Sequence, residues 1–266
     1  MSGIAFTDHF SAVAHSYAQA RPDYPQALFD GIAALAPSRA LVWEAGCGSG
    51  QATRALAGVF AQVYATDPSA AQIAQAPALD NVRFAVEPAE ACTLGDGAAD
   101  AVCVAQAMHW FDLPRFFAEC ARVLRPGGVL VTWGYQDVEL LGDDGAPLDA
   151  ADPLARANAA FQDEILPFWP AERDRINTAY ADIAFPFDAV PFASAGATPV
   201  DTLRVDWSLP RLLGYFASYS ATKHYREVRG VDPVAAHAPA LEAGWGDPTR
   251  VRALRWPLFV HARRKA

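Results

Sequence analysis

The sequence has few cysteines, and they are scattered. Its 266 residues include only Cys47, Cys92, Cys103 and Cys120, with no CxxC or CxxH spacing. That absence disfavours a structural zinc site and a thioredoxin-like redox motif. A chain of this length does not need disulfides to fold, so we expect free thiols in a reducing compartment and no metal site.

Positive charge and long apolar runs are also scarce. The 21 Lys and Arg stand against 30 Asp and Glu, which gives a formal net charge of -9. Such a chain lacks a broad cationic surface for phosphates, so a nucleic-acid partner is disfavoured. No segment reaches the length that spans a bilayer, and the N-terminus lacks a basic flank before an apolar stretch. We expect a cytoplasmic protein without membrane association, and the sequence specifies no oligomeric state.

The sequence does contain a regular alternation of strand and helix patterns. Buried parallel strands are predicted for ALVWEAG, AQVYATD, NVRFAVE, ADAVCVAQAM and GGVLVTWGY. Helical segments such as QATRALAGVF and PRFFAECARVL lie between them. This alternation predicts an α/β fold, doubly wound, with a mostly parallel sheet covered on both faces.

Three glycines at alternate positions follow the first strand: Gly46, Gly48 and Gly50 in EAGCGSG. At such a junction with a helix the backbone N–H groups are unpaired and the helix dipole favours an anion, which indicates a nucleotide-like ligand. Gln51 stands where a dinucleotide fingerprint has its last glycine, so a nicotinamide or flavin site is disfavoured. A P-loop would need Gly-Lys followed by Ser or Thr, whereas residues 51–53 are Gln, Ala and Thr.

An acid, Asp67, ends the second strand, seventeen residues beyond Gly50. In a doubly wound sheet this carboxylate would stand beside the glycine turn, where it can accept both hydroxyls of a ribose and disfavours a ribose phosphate. The alternative is that Asp67 caps the next helix, because Pro68 follows at a first-turn position.

The pattern changes after Tyr135. A polar stretch leads into two predicted helices, 153–166 and 171–183, which we interpret as an inserted helical cap. DTLRVDWSL and VRALRWPLFVHARR then predict two further strands, with helices at about 210–219 and 232–243. We expect one domain over 1–266, made of an N-terminal lid or helical segment 1–38, a ligand-binding core 39–136, a cap insertion 137–200, and the last two strands and helices 201–266.

Several motifs together resemble one family. EAGCGSG, the acid after the second strand, VEPAE, AQAMHWF and RVLRPGG look like those of the class I S-adenosylmethionine-dependent methyltransferases. The opening YAQARPDYP and the pair His109-Trp110 are similar to the small-molecule methyltransferases grouped with the trans-aconitate methyltransferases. The resemblance implies a Rossmann-like sheet of seven mostly parallel strands, the last antiparallel, with S-adenosylmethionine as cofactor and S-adenosylhomocysteine as product.

The resemblance also implies roles for single residues. Glu44 and Gly46 would line the methionyl end of the cofactor, and the helix opening at Gln51 would receive its carboxylate. Asp67 would hold the ribose, and Gln106 would face the sulfonium. The implied cofactor-binding residues are Tyr17, Arg21, Glu44, Gly46, Gly48, Gly50, Asp67, Pro68, Ala89, Glu90 and Gln106, of which Pro68, Ala89 and Glu90 border the adenine. The expected substrate-binding residues are His109, Trp110, Tyr135 and Tyr219.

Methyl transfer from a sulfonium needs no enzymic nucleophile, because rate comes from near-attack positioning in a dry site. A carboxylate acceptor is already ionised at pH 7, whereas a hydroxyl or an acidic carbon would need a base. His109 is the candidate catalytic base, and it could instead line the pocket or pack at its rim. Methyl transfer to a small molecule is therefore expected, with O-methylation of a carboxylic acid as the leading interpretation and base-assisted methylation of a hydroxyl or aromatic metabolite as the alternative.

Two further segments carry charge near the expected site. Tyr17 and Arg21 are four residues apart and share a face if helical, so they predict a lid on the cofactor's carboxylate or on an anionic substrate, with a solvated face as the alternative. The segment SYSATKHYREVRG contains Lys223, His224, Arg226 and Arg229. It is expected to be solvated, unless one of these residues reaches an acidic acceptor together with Arg21.

Rival functions remain as alternatives. A nucleic-acid methyltransferase is disfavoured by the acidic balance and because Ala-Gln-Ala-Met ends the fourth strand where an NPPY-like tetrapeptide would stack a flipped base. A non-catalytic S-adenosylmethionine-binding module would show a damaged glycine turn or lack the acid after the second strand, and in this sequence the turn and the acid are both intact. A nicotinamide oxidoreductase is disfavoured by Gln51.

Overall fold

The computed structural model describes residues 21–192, 200–247 and 249–266. They form an α/β fold around one sheet in the order β3-β2-β1-β4-β5-β9-β6, with β7 and β8 also paired to β9. The strands are β1 Leu41–Ala45, β2 Gln62–Asp67, β3 Val82–Val86, β4 Ala99–Ala105, β5 Leu124–Tyr135, β6 Glu139–Leu140, β7 Asp188–Val190, β8 Thr202–Ser208 and β9 Val251–Arg264. The helices are α1 Gln26–Leu35, α2 Thr53–Val59, α3 Ala70–Ile73, α4 Leu113–Val123, α5 Pro153–Ile165, α6 Asp174–Asn177, α7 Leu209–Ala217, α8 Ser220–Arg229 and α9 Pro233–Trp245.

The first five strands are parallel, as the alternation of strands and helices predicts. β1 lies between β2 and β4, so Glu44 is in register with Ala65 on one side and Cys103 on the other. β3 pairs with β2, and β5 pairs with β4. Parallel strands in register end at the same edge of the sheet, and this brings the residues after β1, β2 and β4 together.

The long strand β9 joins the rest of the sheet to this core. Its second half runs antiparallel to β5, and its first half runs antiparallel to β8. The two strands predicted after residue 200 are therefore present, and the final one is antiparallel as expected. The sheet has nine strands instead of seven because β6 and β7 add short pairings to β9. Two and three residues are too few for an alternating pattern to show.

The helical part after β5 agrees only partly with expectation. The first predicted helix is α5, but 171–183 is not one helix: it contains a 3-10 turn at Ala171–Arg173 and the single-turn α6. Ala179 and Tyr180 then adopt positive φ values of 51° and 58°, which no continuous helix allows. Helix α8 was not predicted. The division into lid, core and cap stays a prediction.

Helices α5 and α9 are held together by close backbone contact. A Cβ atom at Gly244 of α9 would lie 2.7 Å from the Cα atom of Leu154 in α5, so only glycine allows the two helices to approach this closely. Beneath them, Phe161 of α5 stacks on Phe216 of α7 with ring centroids 4.6 Å apart. Both rings are fully buried and belong to the same apolar core as Leu28 of α1 and Val42 of β1.

All four cysteines have free thiols. In the described ranges, no group of three or more His, Cys, Asp or Glu side chains could hold a metal ion. No helix within those same ranges is long and apolar enough to cross a bilayer.

Candidate functional site

The glycine turn after β1 is built from three residues with positive φ: 69° at Gly46, 55° at Gly48 and 85° at Gly50. The reasons for glycine differ along the turn. A Cβ atom at Gly46 would lie 2.8 Å from the Cβ atom of Ala107, whereas one at Gly48 would meet no atom within 4 Å. Gly46 is therefore required by packing, while Gly48 presents bare backbone to open space, as a close-lying ligand requires.

Asp67 is bonded directly to this turn. Its Oδ2 atom accepts the backbone N–H of Gly48 at 2.9 Å, and its Oδ1 atom accepts that of Ser69 at 2.9 Å. The N-cap of α3 is Ser69, whose side chain accepts the N–H of Gln72. The alternative that Asp67 is the helix cap is therefore wrong, and the carboxylate lies at the glycine turn, with Pro68 following it.

Glu44, the acid inside β1, is almost fully buried. The Thr53 hydroxyl donates to its Oε2 atom at 2.5 Å, while Oε1 is buried without a hydrogen-bond partner among the described residues. Burial, opposed by the Thr53 bond and assisted by the charge of Asp67, raises the pKa of Glu44 to about 8. A buried carboxylate oxygen without a donor is costly, and an ammonium group would satisfy it.

The helix after the turn begins later than expected. Helix α2 starts at Thr53, with Ala52 as its N-cap. The Gln51 side chain instead donates to the carbonyl oxygen of Pro22 at 2.7 Å. The predicted helix opening at Gln51 is therefore corrected, and this side chain fastens the segment before α1 to the glycine turn.

Ala89 and Glu90 lie in the loop after β3. Ala89 is buried. The Glu90 Oε1 atom accepts the backbone N–H of Asp112 at 2.8 Å, and Asp112 is the N-cap of α4. Glu90 thus links the loops that follow β3 and β4, and both loops lie at the edge of the sheet that carries the glycine turn.

Gln106, directly after β4, has a strained backbone. Its φ is 52°, which is uncommon for a residue with a side chain. The backbone N–H donates to the Trp133 carbonyl and the side-chain Nε2 to the Tyr135 carbonyl, each at 3.0 Å. β5 thus holds Gln106 in a conformation that costs energy, and such strain is concentrated at functional sites.

A cleft, partly open to solvent, lies above these strand ends. It contains six of the predicted site residues: Arg21, Gln106, His109, Trp110, Tyr135 and Tyr219. Its other lining residues are Gln136, Trp169, Arg173, Ile176, Tyr215 and Ser220, which were not predicted as site residues. Tyr17 lies outside the described residues.

Two guanidinium groups lie in the cleft, each against aromatic rings. Arg21 lies 5.1 Å from the ring centroid of Tyr215, and its Nη1 atom donates to the Tyr135 hydroxyl at 3.3 Å. Arg173 lies 3.9 Å from the ring centroid of Trp169. No Asp or Glu is among the cleft residues of the described chain. The cleft is therefore lined by two cationic side chains and, among the described residues, no acid, and Arg173 also pairs with Asp137 just outside it.

His109 forms part of the cleft wall and is 7% exposed. Burial, with the nearby charges of Arg173 and Arg175, lowers its pKa to about 3. The imidazole is neutral at pH 7, and a group with so low a pKa is a poor proton acceptor there.

The basic side chains of α8 make their contacts outside the cleft, whereas Tyr219 and Ser220 of the same segment line it. Lys223 forms an ion pair with Glu227, and Arg226 forms one with Asp232. The His224 ring contacts the backbone carbonyl of Phe168. None of the four basic residues predicted as a possible anion anchor lines the cleft.

The parallel core of the sheet is similar in sequence to known methyltransferases. Residues 43–132, from β1 to β5, match a family model described as a methyltransferase domain. A methyltransferase of Dictyostelium discoideum is 32% identical over 222 residues, which are 81% of this chain and 78% of that protein. A malonyl-[acyl-carrier protein] O-methyltransferase of Hahella chejuensis is 42% identical over 94 residues, about a third of each chain.

A solved structure extends the similarity beyond the parallel core. The type II methyltransferase of Anaeromyxobacter dehalogenans is 37% identical, with a TM-score of 0.79. The match covers 92% of this chain and 97% of that one. The segments after β5 are therefore shared with that protein as well.

Proposed function

The chain belongs to the class I S-adenosylmethionine-dependent methyltransferases, and from that premise we propose that it methylates an oxygen of a small-molecule carboxylic acid. S-adenosylmethionine is the methyl donor. One observation carries the choice of acceptor: Arg21 and Arg173 stand in an aromatic cleft, and no acidic side chain is among its described lining residues. Guanidinium groups bind carboxylates with paired, charge-assisted hydrogen bonds.

The residues at the sheet edge fit the donor. The unpartnered Oε1 atom of Glu44 would accept from the donor's ammonium group. Asp67, held beside Gly48, would accept from the ribose hydroxyls, and the open space over Gly48 leaves room for close approach. Pro68, Ala89 and Glu90 are proposed to border the adenine, and Gln106 the reacting centre.

The chemistry asks little of the protein beyond positioning. When bound, S-adenosylmethionine supplies an electrophilic methyl group: a carboxylate oxygen forms a bond to it as the sulfur–methyl bond breaks, and the electron pair stays on sulfur. No proton moves, so no base is needed. Arg21 and Arg173 would orient the carboxylate, and the aromatic walls would exclude water from the reacting atoms.

Methylation of a hydroxyl is the second candidate and has less support. It would need a base, and His109 is the residue placed for that role. Its lowered pKa, about 3, makes it a weak base at neutral pH. The similarity to an O-methyltransferase of malonyl-[acyl-carrier protein] favours transfer to oxygen, and His109-Trp110 in the cleft supports the narrower grouping with carboxylic-acid methyltransferases.

The partners and location follow from the same features. The cleft is concave and lined largely by aromatic side chains with a few polar groups, so we propose a small-molecule acceptor and no nucleic acid. The four free thiols support a cytoplasmic location.

The test uses S-adenosylmethionine labelled in its methyl group and a panel of carboxylic acids, each paired with its amide and with a phenol of similar size. We expect label in a product from which mild base releases methanol, since esters hydrolyse there and aryl ethers do not. Transfer to phenols alone, or a base-stable product from every substrate, would refute the proposal.

A further inference from the structure

Tyr180 lies beneath the cleft and contacts His109. Its side chain is 1% exposed, and its hydroxyl oxygen is 3.0 Å from the Nδ1 atom of His109. Burial raises the pKa of Tyr180, and the backbone N–H groups of His109 and Met108 oppose that rise by facing the same oxygen. The hydroxyl is therefore protonated at neutral pH.

This arrangement determines the direction of the hydrogen bond. A buried hydroxyl donates its proton when an acceptor is within reach. Within the described structure, Nδ1 of His109 is the one acceptor at hydrogen-bond distance from the Tyr180 hydroxyl. Tyr180 thus donates to Nδ1, which must be the unprotonated nitrogen of the ring.

The other ring nitrogen then carries the proton. A neutral imidazole has one N–H, so His109 is an Nε2–H donor. Nε2 makes no hydrogen bond to any residue the structure describes, and it is not among the fully buried polar atoms. Because His109 lines the cleft, this N–H is available to a ligand there.

We infer that His109 donates a hydrogen bond from Nε2 to the carboxylate of the acceptor, and that Tyr180 is the positioning residue that fixes this tautomer. The inference rests on the proposed function for the identity of the recipient and extends it. It replaces the base role of His109 with that of a neutral donor, beside the cation Arg173.

Tyr180 is held against His109 by a strained stretch of backbone. Ala179 and Tyr180 both have positive φ, a conformation that persists only where neighbours hold it. Two residues of β9 do so: the His261 Nε2 atom donates to the Ala179 carbonyl at 2.7 Å, and the Phe259 ring packs edge-on against Tyr180 at 5.0 Å. The hydroxyl is therefore set by the central sheet rather than by the loop alone.

The tautomer of His109 can be determined by nitrogen-15 NMR in the absence of substrate. In nitrogen-15 spectra of the full chain at pH 7.5, with signals assigned by their loss in His109→Gln, we expect a neutral His109 with its proton on Nε2. Tyr180→Phe should give a mixture of tautomers, while the control Tyr225→Phe, a hydroxyl on α8 bonded to Glu164, should leave the signal unchanged. A proton on Nδ1, or a charged ring, in the unaltered protein overturns the inference.

Kinetics then separate a donor from a base. Glutamine carries an amide N–H near the position of Nε2 but cannot act as a base. We expect His109→Gln to keep the KM for a carboxylic acid within about fivefold, and His109→Ala to raise it about 10- to 100-fold, the range for one hydrogen bond to a charged group. Affinity for S-adenosylhomocysteine should not change in either variant.

Two outcomes would contradict the donor role. Equal losses of kcat in His109→Gln and His109→Ala would show that the ring acts as a base. An Nε2–H tautomer in a protein that methylates only phenols would refute the proposed function and the carboxylate as recipient together, while the hydrogen bond from Tyr180 would stand. Thermal melting of Tyr180→Phe checks that the variant is folded.

Discussion

The Arg173 guanidinium lies 3.9 Å from the ring centroid of Trp169, and its Nη2 atom is 2.5 Å from a carboxylate oxygen of Asp137. The ring and the carboxylate hold the cation from two sides, and Asp137 itself does not line the cleft. Arg173 thus keeps a fixed charge where an anionic acceptor would bind, at a smaller entropic cost than a free side chain would have.

Replacing Arg173 with Gln should weaken acceptor binding specifically. We expect the KM for a carboxylic acid to rise about 10- to 100-fold, because a charge-assisted hydrogen bond contributes about 1.5 to 3 kcal/mol. Arg211→Gln is the matched control, since Arg211 lies 4.7 Å from the Trp207 ring centroid but outside the cleft. Steady-state kinetics and calorimetric titration with S-adenosylhomocysteine measure the two effects, and an equal loss of cofactor affinity would argue against an acceptor contact.

Asp67→Asn should weaken cofactor binding without affecting the acceptor. The amide keeps one oxygen but lacks the negative charge of the carboxylate, whose oxygens accept from Gly48 and, as proposed, from the ribose. We expect the Kd for S-adenosylhomocysteine to rise about 10- to 100-fold. Calorimetric titration measures it, with Asp80→Asn, an exposed acid before β3, as the control. Unchanged affinity would remove Asp67 from the cofactor site.

Glu44→Gln should change how the free energy of unfolding depends on pH. The pKa of Glu44 rises from 4.5 to about 8 on folding, so the unfolded chain loses this proton first. The stability of the unaltered protein therefore falls as pH rises from about 4.5 to about 8, while glutamine has no proton to lose. Urea denaturation should show the variant gaining, relative to the unaltered protein, up to a few kcal/mol across that window, in order of magnitude.

The same substitution should lower cofactor affinity. Glutamine cannot offer a charged oxygen to the donor's ammonium group. The variant should therefore have a higher Kd for S-adenosylhomocysteine than the unaltered protein, although it is more stable at pH 8. Parallel stability curves for variant and unaltered protein between pH 5 and pH 8 would show that Glu44 is already ionised in the folded state.

Gly244→Ala and Gly214→Ala form a matched pair inside two helices. The first places a Cβ atom 2.7 Å from the backbone of Leu154, and the second meets no atom within 4 Å. We expect the first to cost about 1 to 3 kcal/mol through overpacking and the second to add about 0.5 to 1 kcal/mol through helix propensity. Thermal and urea unfolding measure both, and equal effects would mean that α5 and α9 do not need this close approach.

The local signals in the sequence predicted the parallel core well. Apolar runs closed by turn residues identified β1, β2, β4 and β5, because strands buried on both faces are apolar throughout, and the edge strand β3 was found by its place in the alternation. The glycine turn and Asp67 were predicted as neighbours because parallel strands end at one edge of the sheet. These rules use the near neighbours of each residue, and they succeed where local order decides the structure.

The missed features depend on distant contacts. Helix α8 has many charged residues, so its short apolar face of Ala221, Thr222 and Tyr225 gives little periodicity. Tyr180 reaches His109 beneath the cleft from a turn that His261 of β9 holds from far along the chain. The one local signal for Arg173 was Trp169 four residues earlier, a spacing that also occurs on ordinary helix surfaces.

The placement of β9 has a consequence for how the chain folds. It is the last of the nine strands along the chain, yet it lies inside the sheet, with β5 on one side and β7 and β8 on the other. During synthesis β5 is therefore complete long before its partner emerges, and its apolar edge stays exposed to other chains. Pairings between residues more than a hundred positions apart make folding slow, so a chaperone that shields the β5 edge should raise the yield of native protein.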